Sequence, residues 1–239
     1  MPERLPLKVL LTGTAGRVGQ VLLEPFQARY AEVRALDRRP TPGAPSPLVM
    51  GLGDEDALRA AFAGLDVVVH LAATPSAGAA FAADLVPNNV VGTYNVLQAA
   101  ADAGVRRVVF ASSCQASVKD PSGRVVTPGE PARPFSPYGA TKVLGEVLGR
   151  WFHDHRALEF VAIRIGSFLP RGHERLAPGW PQREHWLGHF DAVDLFSRAV
   201  ERPGLGYAVV YGNSIPERRV FDPGPARELL GYEARETLE

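Results

Sequence analysis

Two rhythms of apolar and polar positions alternate along this chain. Short, nearly unbroken apolar runs recur at Leu7–Leu11, Val67–Leu71, Arg107–Ser112 and Phe160–Ile165. Each has the signature of a strand covered on both faces of a sheet. Glu32–Leu36, ending at Asp37, and Tyr207–Tyr211 add two more strands, and Pro47–Gly51 allows a short one between. Helical spacing fills the intervals: Val18–Ala28, Glu55–Phe62 behind an Asp54 N-cap, Phe81–Ala103 ending at Gly104, a helix carrying Tyr138 and Lys142, Val193–Val200, and Pro225–Leu230 closed by Gly231. Residues 40–46 hold three prolines and read as a loop. A Pro/Gly-rich excursion spans Asp120–Pro137, and residues 168–189 form a long irregular stretch whose Trp, His and Arg content suits a binding loop. Strands alternating with helices predict an α/β fold: a doubly wound parallel sheet with helices on both faces, in one domain over 1–239.

Composition narrows the partners. Apolar residues make up 46% and charged residues 22%, enough for a full core. Lys plus Arg and Asp plus Glu number 26 each, and the arginines are spread along the chain, so no nucleic-acid partner is expected. No apolar run of membrane-spanning length and no signal peptide are found, and the first strand is entered by Leu7. A lone cysteine, Cys114, excludes an internal disulfide and fits the cytoplasm.

Candidate chemistry sits at two places. Thr12-Gly-Thr-Ala-Gly-Arg-Val-Gly19 lies between a predicted strand and helix, the setting in which such glycine spacing implies a dinucleotide. Gly13 permits the tight turn, Gly16 lets a pyrophosphate approach the backbone, and Gly19 permits close helix packing, while the helix N-terminus offers free N–H groups. Asp37 closes the next strand, where an acid holds the adenosine ribose; this favours NAD over NADP, although Arg38 and Arg39 adjoin it. The second place is Tyr138-Gly-Ala-Thr-Lys142, a phenol and an ammonium one helical turn apart. A phenolate base at neutral pH needs its pKa lowered by about three units, roughly 4 kcal/mol. An ammonium about 4 Å away supplies approximately that at an effective dielectric near 20. Lys142 is therefore expected to make Tyr138 a proton acceptor. Ser112 and Ser113 follow a buried strand and offer hydroxyls to the same cavity. His185 with His189, and His153 with His155, lack a third ligand, so no metal is expected.

Together the segments Thr12–Gly19, His70–Ala73, Asn89–Asn95, Phe110–Ser113 and Tyr138–Lys142 resemble the extended short-chain dehydrogenase/reductase superfamily, the NAD-dependent epimerases and dehydratases. The resemblance implies a Rossmann-type fold, with a dinucleotide-binding core over 1–165 and a mainly substrate-binding portion over 166–239. It implies Ser113 as catalytic serine, Tyr138 as general base, and Lys142 as both its tuner and a ligand of the nicotinamide ribose. It places NAD against Gly13, Ala15, Gly16, Arg17, Val18, Gly19, Asp37, Leu52, Leu71, Ala72, Ala73 and Asn89, besides Tyr138 and Lys142.

The downstream residues Arg164–Ser167, Arg175, Trp180, Trp186–Asp194 and Val209–Asn213 resemble the bacterial uronate dehydrogenases, nearly end to end. That likeness implies oxidation of galacturonate or glucuronate at C1 to an aldarolactone. Arg175 would grip the sugar carboxylate, with Ser76, Ser113, Gln115, Tyr138 and Ser167 around the ring. Relatives pair the helices near 93–103 and 142–155, which implies a homodimer or higher homo-oligomer. The chain departs from the pattern at Cys114 and Gln115, where the family has Asn and His, and at Gly51, where the superfamily has an acid for the adenine. Its loop after Ala73 is about two residues longer, and it ends sooner after Tyr232. A nucleotide-sugar epimerase or dehydratase, whose C-terminal domain is usually larger, and a non-catalytic NAD(P)-sensing protein are the competing readings.

Overall fold

Period-two burial assigns each strand residue to one side of the sheet. In β1 (Leu5–Thr12), Val9 and Leu11 join one apolar cluster and Leu10 the other; in β4 (Val67–His70), Val67 and Val69 part from Val68 in the same way. Both clusters are buried, so these strands are apolar throughout rather than alternating. The computed structural model describes residues 3–117 and 122–238, so the start of the Asp120–Pro137 excursion lies outside the described residues.

All strand pairs are parallel, in the order β3-β2-β1-β4-β5-β6-β7, with β2 at Tyr30–Asp37, β3 at Leu48–Val49, β5 at Arg107–Ser113, β6 at Glu159–Ile165 and β7 at Tyr207–Gly212. The helices are α1 (Arg17–Arg29), α2 (Glu55–Phe62), α3 (Gly92–Asp102), α4 (Pro137–Arg156), α5 (His189–Glu201) and α6 (Gly224–Leu230). From β1 the chain winds outward to β2 and β3, then returns to β4 and winds the other way. A crevice therefore opens beyond the carboxyl ends of β1 and β4, the place where ligands of such sheets bind. This is the Rossmann-type doubly wound fold expected from the sequence.

Local chemistry sets several boundaries. Asp54 caps α2 as expected, its Oδ1 accepting the Ala57 N–H at 3.0 Å. Ser136 caps α4 through the Gly139 N–H, with Pro137 in the first turn. Gly145 and Gly149 let α4 lie flat on the sheet: a Cβ there would stand 2.5 Å from the Phe110 ring and 2.4 Å from the Phe160 ring. The helix expected over 81–103 is instead two pieces. Phe81–Val91 is a wide π-helical segment, and only Gly92–Asp102 is α-helical. Pro87 explains the change, because it has no N–H to give and its ring crowds the preceding turn. The Gly92 N–H accordingly reaches back five residues to the Pro87 carbonyl. α5 begins at His189 rather than Val193, and the irregular stretch before it contains short turns of 3-10 helix at Glu174–Leu176 and Pro181–His185.

Candidate active site

The glycine turn is pressed against the end of β4. Gly13 has φ +75°, and a Cβ there would meet the Ala72 nitrogen at 2.6 Å. The first turn of α1 packs equally closely, since a Cβ on Gly19 would lie 2.4 Å from the Gly13 carbonyl oxygen. Gly16, by contrast, faces only that carbonyl, at 3.0 Å. It is the N-cap of α1 and brings no side-chain cap, which leaves the first N–H groups of the helix, those of Arg17 and Val18, without one. These features suit a pyrophosphate laid over Gly16.

Asp37 is buried at the end of β2, where its carboxylate accepts the Ala15 N–H at 2.9 Å and the Arg39 N–H at 3.0 Å. Two oxygens have acceptor sites beyond these, which suits a ribose diol. The Arg39 guanidinium donates to the Ala15 carbonyl at 3.0 Å and lies 3.9 Å from Asp37, so it spans the edge of the turn. Leu52 is half-buried, and its carbonyl accepts from Asn95 at 2.9 Å.

Asn89 is a clamp. Its Oδ1 accepts the Thr74 N–H at 2.7 Å, while Nδ2 donates to the Thr74 carbonyl at 3.2 Å and to Thr141 Oγ1 at 3.1 Å. Thr141 in turn donates to the Tyr138 carbonyl at 2.7 Å. Both amide hydrogens of Asn89 thus join the segment after β4 to the helix bearing Tyr138 and Lys142. These bonds fix the orientation of the Asn89 side chain.

Ser113, Tyr138 and Lys142 converge as expected. Tyr138 and Lys142 are 8% and 3% exposed, and the Lys142 ammonium lies 5.7 Å from the centroid of the Tyr138 ring. Ser113 Oγ accepts the Gln115 N–H at 3.2 Å. The electrostatics differ from the expectation that Lys142 makes the phenol acidic. Burial pushes Tyr138 up to about 12, with Cys114 adding to the rise and a hydrogen bond with Ser113 opposing it. Burial also brings Lys142 down to about 7, with Glu146 acting in the other direction. In a dry site both the phenolate and the ammonium lose hydration, and that loss outweighs their attraction. His70, fully buried between Thr12 and Thr93, is held neutral with a pKa near 3 by burial and then by the Lys142 charge.

The outer residues are dispersed. Ser112 does not join the catalytic hydroxyls: it donates to Glu146 Oε1 at 2.5 Å. Gln115 Oε1 accepts the Ser136 hydroxyl at 2.7 Å, tying the residue after Cys114 to the cap of α4. Ser167 joins the loop to the sheet, its N–H donating to the His185 carbonyl and its carbonyl accepting from Leu187. Ser76 stands in an exposed turn, with its Oγ accepting the Gly78 N–H, and Arg175 is exposed on the 174–176 turn.

Sequence reasoning missed two features. The buried Glu146–Arg164 pair was signalled only by an acid at the next helical repeat after Tyr138 and Lys142. A cavity of about 320 Å³ at the end of β7, walled by Tyr211, Asn213, Arg219, Phe221 and Tyr232, contains none of the catalytic three. Among the described residues no group of three metal-ligating side chains occurs, and no helix is long and apolar enough to cross a membrane.

Known proteins are similar to this chain over most of its length. The NAD-dependent epimerase/dehydratase family matches residues 9–180. The uronate dehydrogenase of Pseudomonas putida is 34% identical, covering 97% of this chain and 85% of that protein. An NAD-dependent glucose-6-phosphate dehydrogenase of Haloferax volcanii is also 34% identical, over 95% of this chain and 93% of its own. The crystal structure of uronate dehydrogenase from Agrobacterium tumefaciens superposes with a TM-score of 0.85 at 30% identity, covering 97% of this chain and 85% of that one.

Proposed function

The chain belongs to the NAD-dependent epimerase/dehydratase family, and we propose that it oxidises the C1 hydroxyl of a cyclic hexuronate, galacturonate or glucuronate, to an aldarolactone. It is an NAD-dependent sugar dehydrogenase acting on CH–OH, as its relatives are. The observation that supports oxidation of a sugar hydroxyl is the convergence of Ser113, Tyr138 and Lys142, and the likeness to uronate dehydrogenase over 97% of the chain supports the uronate.

Gly13, Gly16 and the N–H groups of Arg17 and Val18 would hold the pyrophosphate of NAD, Asp37 its adenosine ribose, and Lys142 its nicotinamide ribose. Bound NAD supplies the acceptor for the hydrogen and electron pair leaving C1. Ser113 Oγ donates to the substrate oxygen and fixes its direction. Tyr138 takes the C1 hydroxyl proton. Burial holds the Tyr138 phenol protonated in the ligand-free protein, and the protonated Lys142 is the group of this chain that would favour its ionisation, with bound NAD adding positive charge. Arg175, at the solvent edge of the substrate loop, meets the sugar carboxylate as a bidentate donor.

A glucose 6-phosphate reading is favoured by the Haloferax relative, since the same guanidinium would receive a phosphate. The two separate on a panel of uronates, aldoses, sugar phosphates and UDP-sugars, read by NADH absorbance. The proposal expects turnover of galacturonate or glucuronate at least roughly tenfold above galactose and glucose 6-phosphate, with Arg175→Ala raising KM for the uronate alone. Preference for the sugar phosphate, or for a UDP-sugar, overturns it. We further propose that the exposed Val91 at the end of the π-helical segment, Tyr94 on α3, and Leu144, Val147 and Trp151 on α4 pack against a second copy of the chain; light scattering reporting a monomer excludes this.

A further inference from the structure

Behind the catalytic group lies a second buried polar set that the sugar chemistry does not touch. Glu146 stands one helical turn beyond Lys142 and is 4% exposed. Arg164 on β6 grips it with two bonds, Nε to Oε1 at 2.9 Å and Nη2 to Oε2 at 2.8 Å. The Ser112 hydroxyl adds a third, to Oε1. Arg164 also donates to Ser117 Oγ at 3.0 Å and to the Tyr211 hydroxyl at 3.3 Å, so no member of the set lacks a partner. Buried ion pairs of this kind are commonly replaceable by apolar side chains at no loss of stability, which makes stability a poor reason for one here.

Location is a better reason. The groups acting on Lys142 are Tyr138 and Glu146 on its own helix, Phe110 from β5 and neutral His70 from β4, with Cys114 beside Tyr138 beyond the end of β5 and the Arg164 guanidinium behind Glu146. The neutral Thr93 and Asn89 lie on the α3 side, and the Tyr207 hydroxyl of β7 donates to the Glu146 carbonyl. Among these described groups the Glu146 carboxylate is the one whose charge favours the ammonium. Its bonds to Arg164 and Ser112 prevent it from swinging toward Lys142 to form a direct pair. Lys142 is left free to face Tyr138.

We propose that Glu146 is a positioning residue for the catalytic group: it supplies a fixed negative charge that holds a proton on the buried Lys142, and through Ser112 it ties that charge to the strand end bearing Ser113. This rests on the assignment of Ser113, Tyr138 and Lys142 given above. The chain has only three lysines, so isotope-labelled lysine gives three side-chain resonances by NMR, with Lys142→Met assigning the relevant one. Glu146→Gln is expected to lower the Lys142 midpoint by roughly one pH unit and to move the alkaline limb of kcat/KM to lower pH by a similar amount. Glu146→Asp, which keeps the charge, should recover most of both. If Glu146→Gln does not fold, the double variant Glu146→Gln/Arg164→Met, which also removes the opposing guanidinium charge, should show a fall in the same direction but smaller. An unchanged Lys142 midpoint in a cooperatively folded variant overturns the proposal. The titration is read in ligand-free protein, so its outcome stands whichever sugar is oxidised.

Discussion

The Lys142 ammonium lies 4.8 Å from the centroid of the Phe110 ring, so the one cation of the catalytic group rests on an aromatic face rather than on a carboxylate. That contact, with the Glu146 charge one helical turn away, does not offset the loss of water, and the lysine falls from its ordinary 10.5 to about 7. Between those values the unfolded chain binds a proton that the folded one does not. Stability therefore rises with pH across this window, and the penalty is complete below it. Lys142→Met is expected to abolish turnover and yet to raise stability at pH 6, by up to about 5 kcal/mol, an advantage that shrinks as pH climbs from 7 toward 10.5. Urea melts at stepped pH measure it; a less stable Met variant at pH 6 contradicts the account.

Tyr138→Phe removes the proton acceptor and keeps the ring that packs beside Lys142. The expected result is a fall in kcat of about 1000-fold with NAD affinity by calorimetry nearly unchanged. Loss of NAD binding would show instead that the hydroxyl holds the site together.

The glycine turn has a steric test. Gly19→Ala puts a methyl 2.4 Å from the Gly13 carbonyl oxygen and 2.6 Å from Thr14 Cα, both backbone atoms that cannot swing aside. It should cost about 1–3 kcal/mol and weaken NAD binding severely. Gly129→Ala meets nothing within 4 Å and serves as the control, with little change in either. Equal behaviour of the two variants would falsify this reading of the turn.

His70 governs part of the acid response. Its folded pKa near 3 against an ordinary 6.5 means that the unfolded chain gains a proton as pH falls through that interval, and stability drops with it. Wild type should therefore lose up to about 1.4 kcal/mol per pH unit more than His70→Gln between pH 6 and 4. Parallel stability curves for the two proteins would place the acid sensitivity elsewhere.

Much of this was legible in one dimension. Unbroken apolar runs such as Val67–Leu71 announce two-sided burial, and glycine spacing between a strand and a helix allows few other backbones. A Tyr and a Lys one turn apart must share a helix face, so the convergence of Tyr138 and Lys142 follows from periodicity alone. The cap at Asp54 and the stop at Gly231 are local events, and local sequence predicts them.

What tertiary structure decided is what depends on neighbours distant along the chain. Sequence gave the distance between phenol and ammonium but not the dryness around them, and dryness reverses the expected acidity of Tyr138. Ser112 and Ser113 are adjacent in the chain, yet one hydroxyl is taken by Glu146 and the other stays beside Tyr138. The wide segment at Phe81–Val91 formed where helical periodicity continued, because Pro87 cannot donate and Asn89 was drawn to Thr74 and Thr141. Propensity and spacing act over a few residues, so a chain can declare them by itself; desolvation and the partner of each buried polar atom are set by strands and helices that meet only on folding.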